Sequence, residues 1–332
     1  MLKPISLNSS IVKKFIPSRK SNSRKGDNGK VLVVGGSYMY HGAPILSSLA
    51  ALRSGCDLVY TVVPKVNVQS TRAISPDLIV IPMADAKLTR GGVNKLLGQA
   101  PQDLDSATIG MGLAVQDVEG LKLLIKSLLN RDVRLSLDAS SLVKEILPLI
   151  ANKNVVVTPH AGEFKRLFGE IPSENKTKRI QTVEKHAKNN SITILLKGDT
   201  DIISNGIKTY TNVKNTPGMT VGGTGDVLSG ILASILSQNR NTLKSYCNNS
   251  MPEDVEVISV TQTSNADEGE LSERSDEMGW RFMKGSSEMT DAFDANRSPT
   301  VVIIDKEGMI TFTNSGSMSE SELEENINNA LA

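Results

Sequence analysis

Lys30-Val31-Leu32-Val33-Val34-Gly35-Gly36-Ser37 is the stretch that decides the fold. An unbroken apolar run of this length, rich in β-branched residues and closed by glycines, predicts a strand buried on both faces that enters a glycine turn. Directly after it, Ile45, Leu46, Leu49 and Leu52 recur at three- and four-residue steps between Pro44 and Ser54, which predicts a helix stopped by Gly55. Strand, turn and helix in that order open a parallel α/β layer.

The same rhythm continues outward. Short apolar runs at Asp57 to Val63, Asp77 to Ile81, Ser106 to Gly110, Leu135 to Asp138, Val155 to Thr158 and Ile192 to Lys197 read as strands. Helical stretches such as Gly120 to Asn130 and Gly162 to Gly169 lie between several of them, so a mostly parallel sheet covered on both faces is expected. In such sheets ligands gather at the carboxyl ends of the strands.

Lys+Arg 37 against Asp+Glu 36 leaves a formal charge of +1, which supplies no global field for nucleic acid or anionic lipid. A small-molecule partner is the expectation. No apolar run is long enough to cross a bilayer and no signal-peptide core is visible, so a cytoplasmic location is expected. Cys56 and Cys247 form no CxxC, and His41, His160 and His186 are too scattered for a zinc site.

The strongest local signal runs from Asn215 to Gly230 and contains Gly222-Gly223-Thr224-Gly225-Asp226 ahead of a helical pattern that reaches about Gln238. Glycines let backbone approach a ligand, and a helix starting there aims free N–H groups at an anion. Asp226 beside that cradle is placed to take a proton from an attacking hydroxyl. The plainer alternative is a tight turn whose Asp226 only caps the helix. Neither GxxxxGK[ST] nor a GxGxxG after the first strand is present.

Three further segments join this one: Gly29 to Ser37 with Tyr40-His41-Gly42-Ala43-Pro44 and Ala51-Leu52-Arg53-Ser54-Gly55, then Thr158-Pro159-His160-Ala161-Gly162-Glu163-Phe164, then Leu196-Lys197-Gly198-Asp199-Thr200-Asp201. In this order the set resembles the ADP/ATP-dependent NAD(P)H-hydrate dehydratases of the ribokinase-like superfamily, over about residues 26–238. The resemblance implies a ribokinase-like α/β/α domain. It implies repair of hydrated NADH and NADPH: ADP or ATP, with Mg²⁺, phosphorylates the ring hydroxyl, and loss of phosphate restores the double bond.

Carried over by residue, Asp226 matches the catalytic aspartate and Gly225 the backbone that holds the transferring phosphate. Lys197, Gly198, Asp199, Thr200 and Asp201 match the nucleotide-binding segment, and Ala43, Gly112 and His160, with Asp226, the site for the hydrated dinucleotide. On residue type alone turn packing is the favoured reading of Ala43 and Gly112 and a structural histidine that of His160, while Lys197 is equally consistent with a solvated strand-end lysine. Glu163 is a candidate Mg²⁺ ligand through water, or a helix cap. Asp138, at a strand end where aspartate is common, is a further site candidate.

The expected organisation is an arm over residues 1–25, the dehydratase domain over 26–240 without the family's last helices, a linker over 241–253, and a tail over 254–332. The tail resembles the latter part of a thioredoxin-like fold: a strand at Val255 to Val260, a helical region at Glu270 to Ala295, Pro299 to Ile304 and Ile310 around an Asp-Lys-Glu-Gly turn, and a closing helix at Ser319 to Leu331. Without CxxC it is not read as a redox module. The stretch before Gly26 is too short for the epimerase domain that members of the resembled family often carry, so the expectation is a separate epimerase as functional partner, or action on one epimer only. The family resemblance also suggests a homo-oligomer. A vitamin-precursor-type kinase and an inactive nucleotide-binding scaffold are the alternative readings.

Overall fold

The computed structural model describes residues 4–14, 16, 19, 21–84, 86–213 and 216–238, and towards the C-terminus 258–261, 281–284, 300–304, 310–315 and 320–331. Two compact units divide the chain, Met1–Asn239 and Arg240–Ala332.

The first unit is a layered α/β domain. Its strands are β1 (Ile5–Ser6), β2 (Lys30–Val34), β3 (Leu58–Pro64), β4 (Ile79–Met83), β5 (Ser106–Ile109), β6 (Arg134–Leu137), β7 (Val155–Val157), β8 (Thr193–Leu196), β9 (Asp201–Ser204) and β10 (Thr209–Asn212). They form one sheet in the order β1-β10-β9-β8-β7-β6-β5-β2-β3-β4. From β4 across to β8 every pairing is parallel; only β8–β9 and β9–β10 are antiparallel. The expected mostly parallel sheet is therefore the one observed.

Period-two geometry explains why β2 is apolar from Val31 to Val34. Leu32 and Val34 enter the larger core, with β5 and β6 and the helices α4 (Arg90–Gln99), α5 (Val118–Leu129), α7 (Ala161–Phe168) and α8 (Lys176–Asn190). Val31 and Val33 face the other way, into a smaller core with Ala51, Met111 and Ala233. Each such Val, Leu or Met side chain stabilises the fold by about 1.5–3 kcal/mol. Ala51 lies on α2 (Gly42–Arg53) and Ala233 on α9 (Thr224–Gln238), so these two helices cover the second face.

Small residues let α9 lie close. Its buried positions are Ser229, Gly230, Ala233, Ser234 and Ser237. A Cβ at Gly230 would run into the backbone of Ser47 on α2, with Ser47 C at 2.7 Å and Cα at 3.0 Å. The helix is also tied to the sheet: Ser106 Oγ donates to Ala233 O at 2.6 Å and Arg134 Nη1 to Leu236 O at 2.9 Å.

The expected arm carries structure of its own: β1 pairs in parallel with β10, and residues 9–14 form a short helix. Further along, Asp57 gathers the loop before β2, accepting from Gly26 N at 2.8 Å and Asn28 N at 3.0 Å and pairing with Arg19.

In the second unit, Ile258–Thr261 pairs in parallel with Arg281–Lys284, and Thr300–Ile304 pairs antiparallel with Ile310–Ser315. Helix Glu320–Leu331 sets Leu323 and Ile327 against Ile303. The helical reading of 270–295 is corrected at Arg281–Lys284, which is strand: ladder pairing with Ile258–Thr261 outweighs the helix-favouring composition around it. The remainder of that region, the linker at 241–253 and the Asp-Lys-Glu-Gly turn lie outside the described residues. Among the described residues no helix is long and apolar enough to cross a membrane.

Candidate active site

The site is built at the carboxyl ends of the parallel strands, starting from the first turn of α9. Gly223 has φ +95°, a conformation that favours glycine, and Gly222 has open space where a side chain would stand. Val227 N donates to Gly223 O at 3.0 Å, which closes the first helical turn. The N–H groups of Thr224, Gly225 and Asp226 therefore have no intrahelical acceptor and form the positive end of the helix. Thr224 Oγ1 turns back to Val221 O at 3.0 Å, so it braces the glycine turn.

Strand ends supply the charged groups. Asp138 follows β6 and is buried; Lys197 follows β8 and donates from Nζ to Asp138 Oδ1 at 2.9 Å. Ser229, one turn into α9, donates to Asp138 Oδ2 at 2.9 Å. A Cβ at Gly225 would stand 3.6 Å from Lys197 Nζ and 3.8 Å from Asp138 Oδ2, so cation and carboxylate both border the helix start. Asp226 is half-buried beside them. Burial raises its carboxyl above the ordinary carboxylate range, the Asp138 charge raises it further, and Lys197 opposes both.

After β7, His160 and Glu163 make a reciprocal cap at the start of α7. His160 Nδ1 accepts from Gly162 N at 3.0 Å and Glu163 N at 3.3 Å, while Glu163 Oε2 accepts from His160 N at 2.9 Å. Nδ1 is thus occupied as an acceptor. Nε2 lies 3.3 Å from Glu163 Oε1 on a side chain that is 60% exposed and open to a ligand. Glu163 Oε2 also lies 3.9 Å from Lys197 Nζ, which links this cap to the cluster at the start of α9.

Ala43 and Gly112 meet one another. Gly112 has φ +63°, and a Cβ there would stand 3.0 Å from Ala43 Cβ and 2.8 Å from Tyr40 Cβ. The turn after β8 is shaped by its own polar groups: Gly198 N donates to Asp201 Oδ1 at 3.1 Å and Thr200 N to Asp199 Oδ1 at 2.9 Å. Asp201 also accepts from Asn212 at 3.2 Å, so its carboxylate holds the turn.

Two side chains in this neighbourhood escaped the sequence reading. Ser229 lies three residues beyond Asp226, a helical spacing that was there to be read. Arg179, on α8, has no comparable signal; its Nη2 approaches a Cβ built on Gly198 to 2.7 Å and donates to Lys197 O at 3.4 Å, and its Nε is buried without a partner.

Among the described residues no group of three or more His, Cys, Asp or Glu forms a preassembled metal site. Glu163, whose carboxylate lies 3.9 Å from Lys197 Nζ, is an oxygen donor of the kind Mg²⁺ takes together with phosphates and waters.

A parallel sheet with a glycine-led helix start facing a strand-end lysine and an acidic pair defines a ribokinase-like α/β domain. A solved ribokinase-like superfamily protein from Enterococcus faecalis V583 superimposes with TM-score 0.57 at 28% identity, covering 70% of this chain and 80% of that one. An ADP/ATP-dependent NAD(P)H-hydrate dehydratase from Bacillus subtilis, co-crystallised with ATP/Mg²⁺, shares the fold with TM-score 0.61 at 23% identity over 77% of this chain and 94% of that one. Residues 31–263 match the family described as NAD(P)H-hydrate dehydratase. An ADP-dependent (S)-NAD(P)H-hydrate dehydratase from Nitrosopumilus maritimus is 71% identical over 239 residues, 72% of this chain and 83% of that protein. The chain belongs to the NAD(P)H-hydrate dehydratase family.

Proposed function

We propose that this protein dehydrates the S epimer of hydrated NADH or NADPH back to the reduced dinucleotide, at the expense of ADP or ATP. The observation that carries the reading is the juxtaposition of the free N–H groups at Gly225, the Lys197 ammonium and the raised Asp226 carboxyl. The nucleotide supplies a terminal phosphoryl group and leaves one phosphate shorter. The substrate ring hydroxyl attacks that phosphorus while Asp226 takes its proton. The phosphate ester then loses phosphate with its C–O bond, the neighbouring ring carbon gives up a proton, and the double bond is restored.

Each residue has a place in this scheme. Gly225 N–H and its neighbours face the oxygens that gain charge, and Lys197 sets a cation beside them. The turn Gly198, Asp199, Thr200 and Asp201 lies along the nucleotide. Ala43, Gly112 and the open Nε2 edge of His160 receive the hydrated dinucleotide. Glu163 would hold Mg²⁺, which when bound would offset phosphate charge.

The test is recovery of reduced-nicotinamide absorbance from hydrated NADH with ADP or ATP and Mg²⁺. Asp226→Asn is expected to lower kcat by at least about 100-fold, the usual contribution of a positioned base. Accumulation of a stable phosphate ester in place of free phosphate would assign a kinase instead.

A further inference from the structure

Asp138 is a buried carboxylate that the scheme above leaves without a task. Aspartate at a strand end ordinarily caps the turn that follows. Here the residues after it, Ala139–Ser141, receive no side-chain cap from Asp138. Its backbone carbonyl serves that turn, accepting from Ser141 N at 3.1 Å and Ser141 Oγ at 2.8 Å. Both carboxylate oxygens point elsewhere: Oδ1 to Lys197 and Oδ2 to Ser229, across 59 and 91 residues of sequence. A carboxylate this buried costs stability unless paired, and both of its partners border the phosphate-facing start of α9.

We propose that Asp138 is a positioning residue for phosphoryl transfer: Ser229 fixes one carboxylate oxygen so that the other holds the Lys197 ammonium beside Gly225. The flexible four-carbon stem of lysine otherwise samples many rotamers, and clamping its head sets the cation before the nucleotide arrives. Arg179 holds the same segment from behind by donating to Lys197 O.

Two opposed effects make this role separable from simple structural support. Asp138 carries a negative charge beside a site for anions, so removing that charge does not weaken nucleotide binding electrostatically. It removes the clamp, so turnover falls. It also removes the carboxylate that disfavours ionisation of Asp226. The charged groups facing Asp226 are Asp138 from the end of β6 and Lys197 from the end of β8; Glu163 from α7 acts through Lys197. With Asp138 neutral, Asp226 ionises at lower pH.

The inference rests on the dehydratase reading, and the full chain tests both. For Asp138→Asn, kcat is expected to fall about tenfold or more, a modest loss for a misplaced catalytic group. Calorimetry with ADP should give a Kd equal to or tighter than that of the parent, and the acid limb of kcat/KM against pH should move to lower pH. Ser229→Ala, which deletes one hydrogen bond and keeps the charge, should lower kcat less, with ADP affinity and the acid limb unchanged. The inference is overturned if either variant keeps parental kcat, if ADP binding weakens in step with turnover, or if the acid limb of Asp138→Asn stays in place. If the parent itself fails to turn over hydrated NADH, the dehydratase reading falls first.

Discussion

Gly230→Ala tests how firmly the site depends on the seat of α9. Gly230 lies one helical turn beyond Asp226, and its added methyl would press on the Ser47 backbone of α2, with Ser47 C at 2.7 Å and Cα at 3.0 Å. Backbone cannot rotate away as a side chain can. Restoring ordinary carbon contact of about 3.6 Å requires α9 to retreat by about 1 Å. The helix is pinned along its length by Ser106 at Ala233 O and Arg134 at Leu236 O, so the retreat strains those bonds too. Overpacking of this kind costs about 1–3 kcal/mol, and the helix-propensity gain from alanine offsets at most about 1 kcal/mol of it. A net loss of about 1 kcal/mol lowers the midpoint of thermal unfolding by roughly 2–4 °C in a domain of this size. A displacement of about 1 Å at Gly225 and Asp226 lowers kcat by about 100-fold. Circular dichroism melts and the absorbance assay read the two effects separately. Gly98→Ala is the control: it is an exposed position of α4 with open space at its Cβ and should stabilise by up to about 1 kcal/mol. A Gly230→Ala protein with the parental midpoint and turnover would refute the close-packing argument.

Three other outcomes follow from particular contacts. Burial and then Asp138 raise Asp226, and the base form exists only above that raised pKa; activity should therefore fall on acidification above the ordinary carboxylate value of about 4, and a limb at or below it would contradict the site. Burial alone would raise Asp57, but hydrogen bonds from Asn28 and Gly26 and the Arg19 charge outweigh it and hold the carboxyl low. Its stabilisation is present above the unfolded value and lost as pH falls through the depressed one, so Asp57→Asn should cost about 1.5–3 kcal/mol in urea unfolding at pH 7 and much less near pH 2. Burial pushes the Cys56 thiol up to about 11, so peptide mapping should find it unalkylated in native protein at pH 8 and alkylated after denaturation.

The parallel half of the sheet was legible because doubly buried strands must be apolar, as β2 is from Val31 to Val34. The hairpin β9–β10 was not. Asp201–Ser204 and Thr209–Asn212 alternate with polar residues, and the first of them reads as part of a ligand-binding segment. Helix α8 escaped for a related reason: only Ile180, Val183 and Ala187 are buried in a mostly polar stretch. In the site, Gly225, Asp226, Lys197, His160 and Glu163 stood out through their motifs, and the structure brings them to one region. His160 and Glu163 proved to be one reciprocal cap as well as two site candidates. The clamp of Asp138 on Lys197 and Ser229 joins residues 59 and 91 positions apart, and no periodicity records such a pairing. Arg179 reaches the turn at Gly198 from a helix whose local sequence gives no sign of a site.

The two borders of the ten-stranded sheet bear on self-association. Edge strands offer rows of unsatisfied amides and carbonyls on which other chains can add. On one border β1 offers only Ile5 and Ser6, a segment too brief to template an incoming strand. On the other, β4 places Pro82 in its five-residue run, and a residue without an amide hydrogen interrupts any ladder laid along it. Fibril-like growth from either side of this domain therefore meets a built-in block.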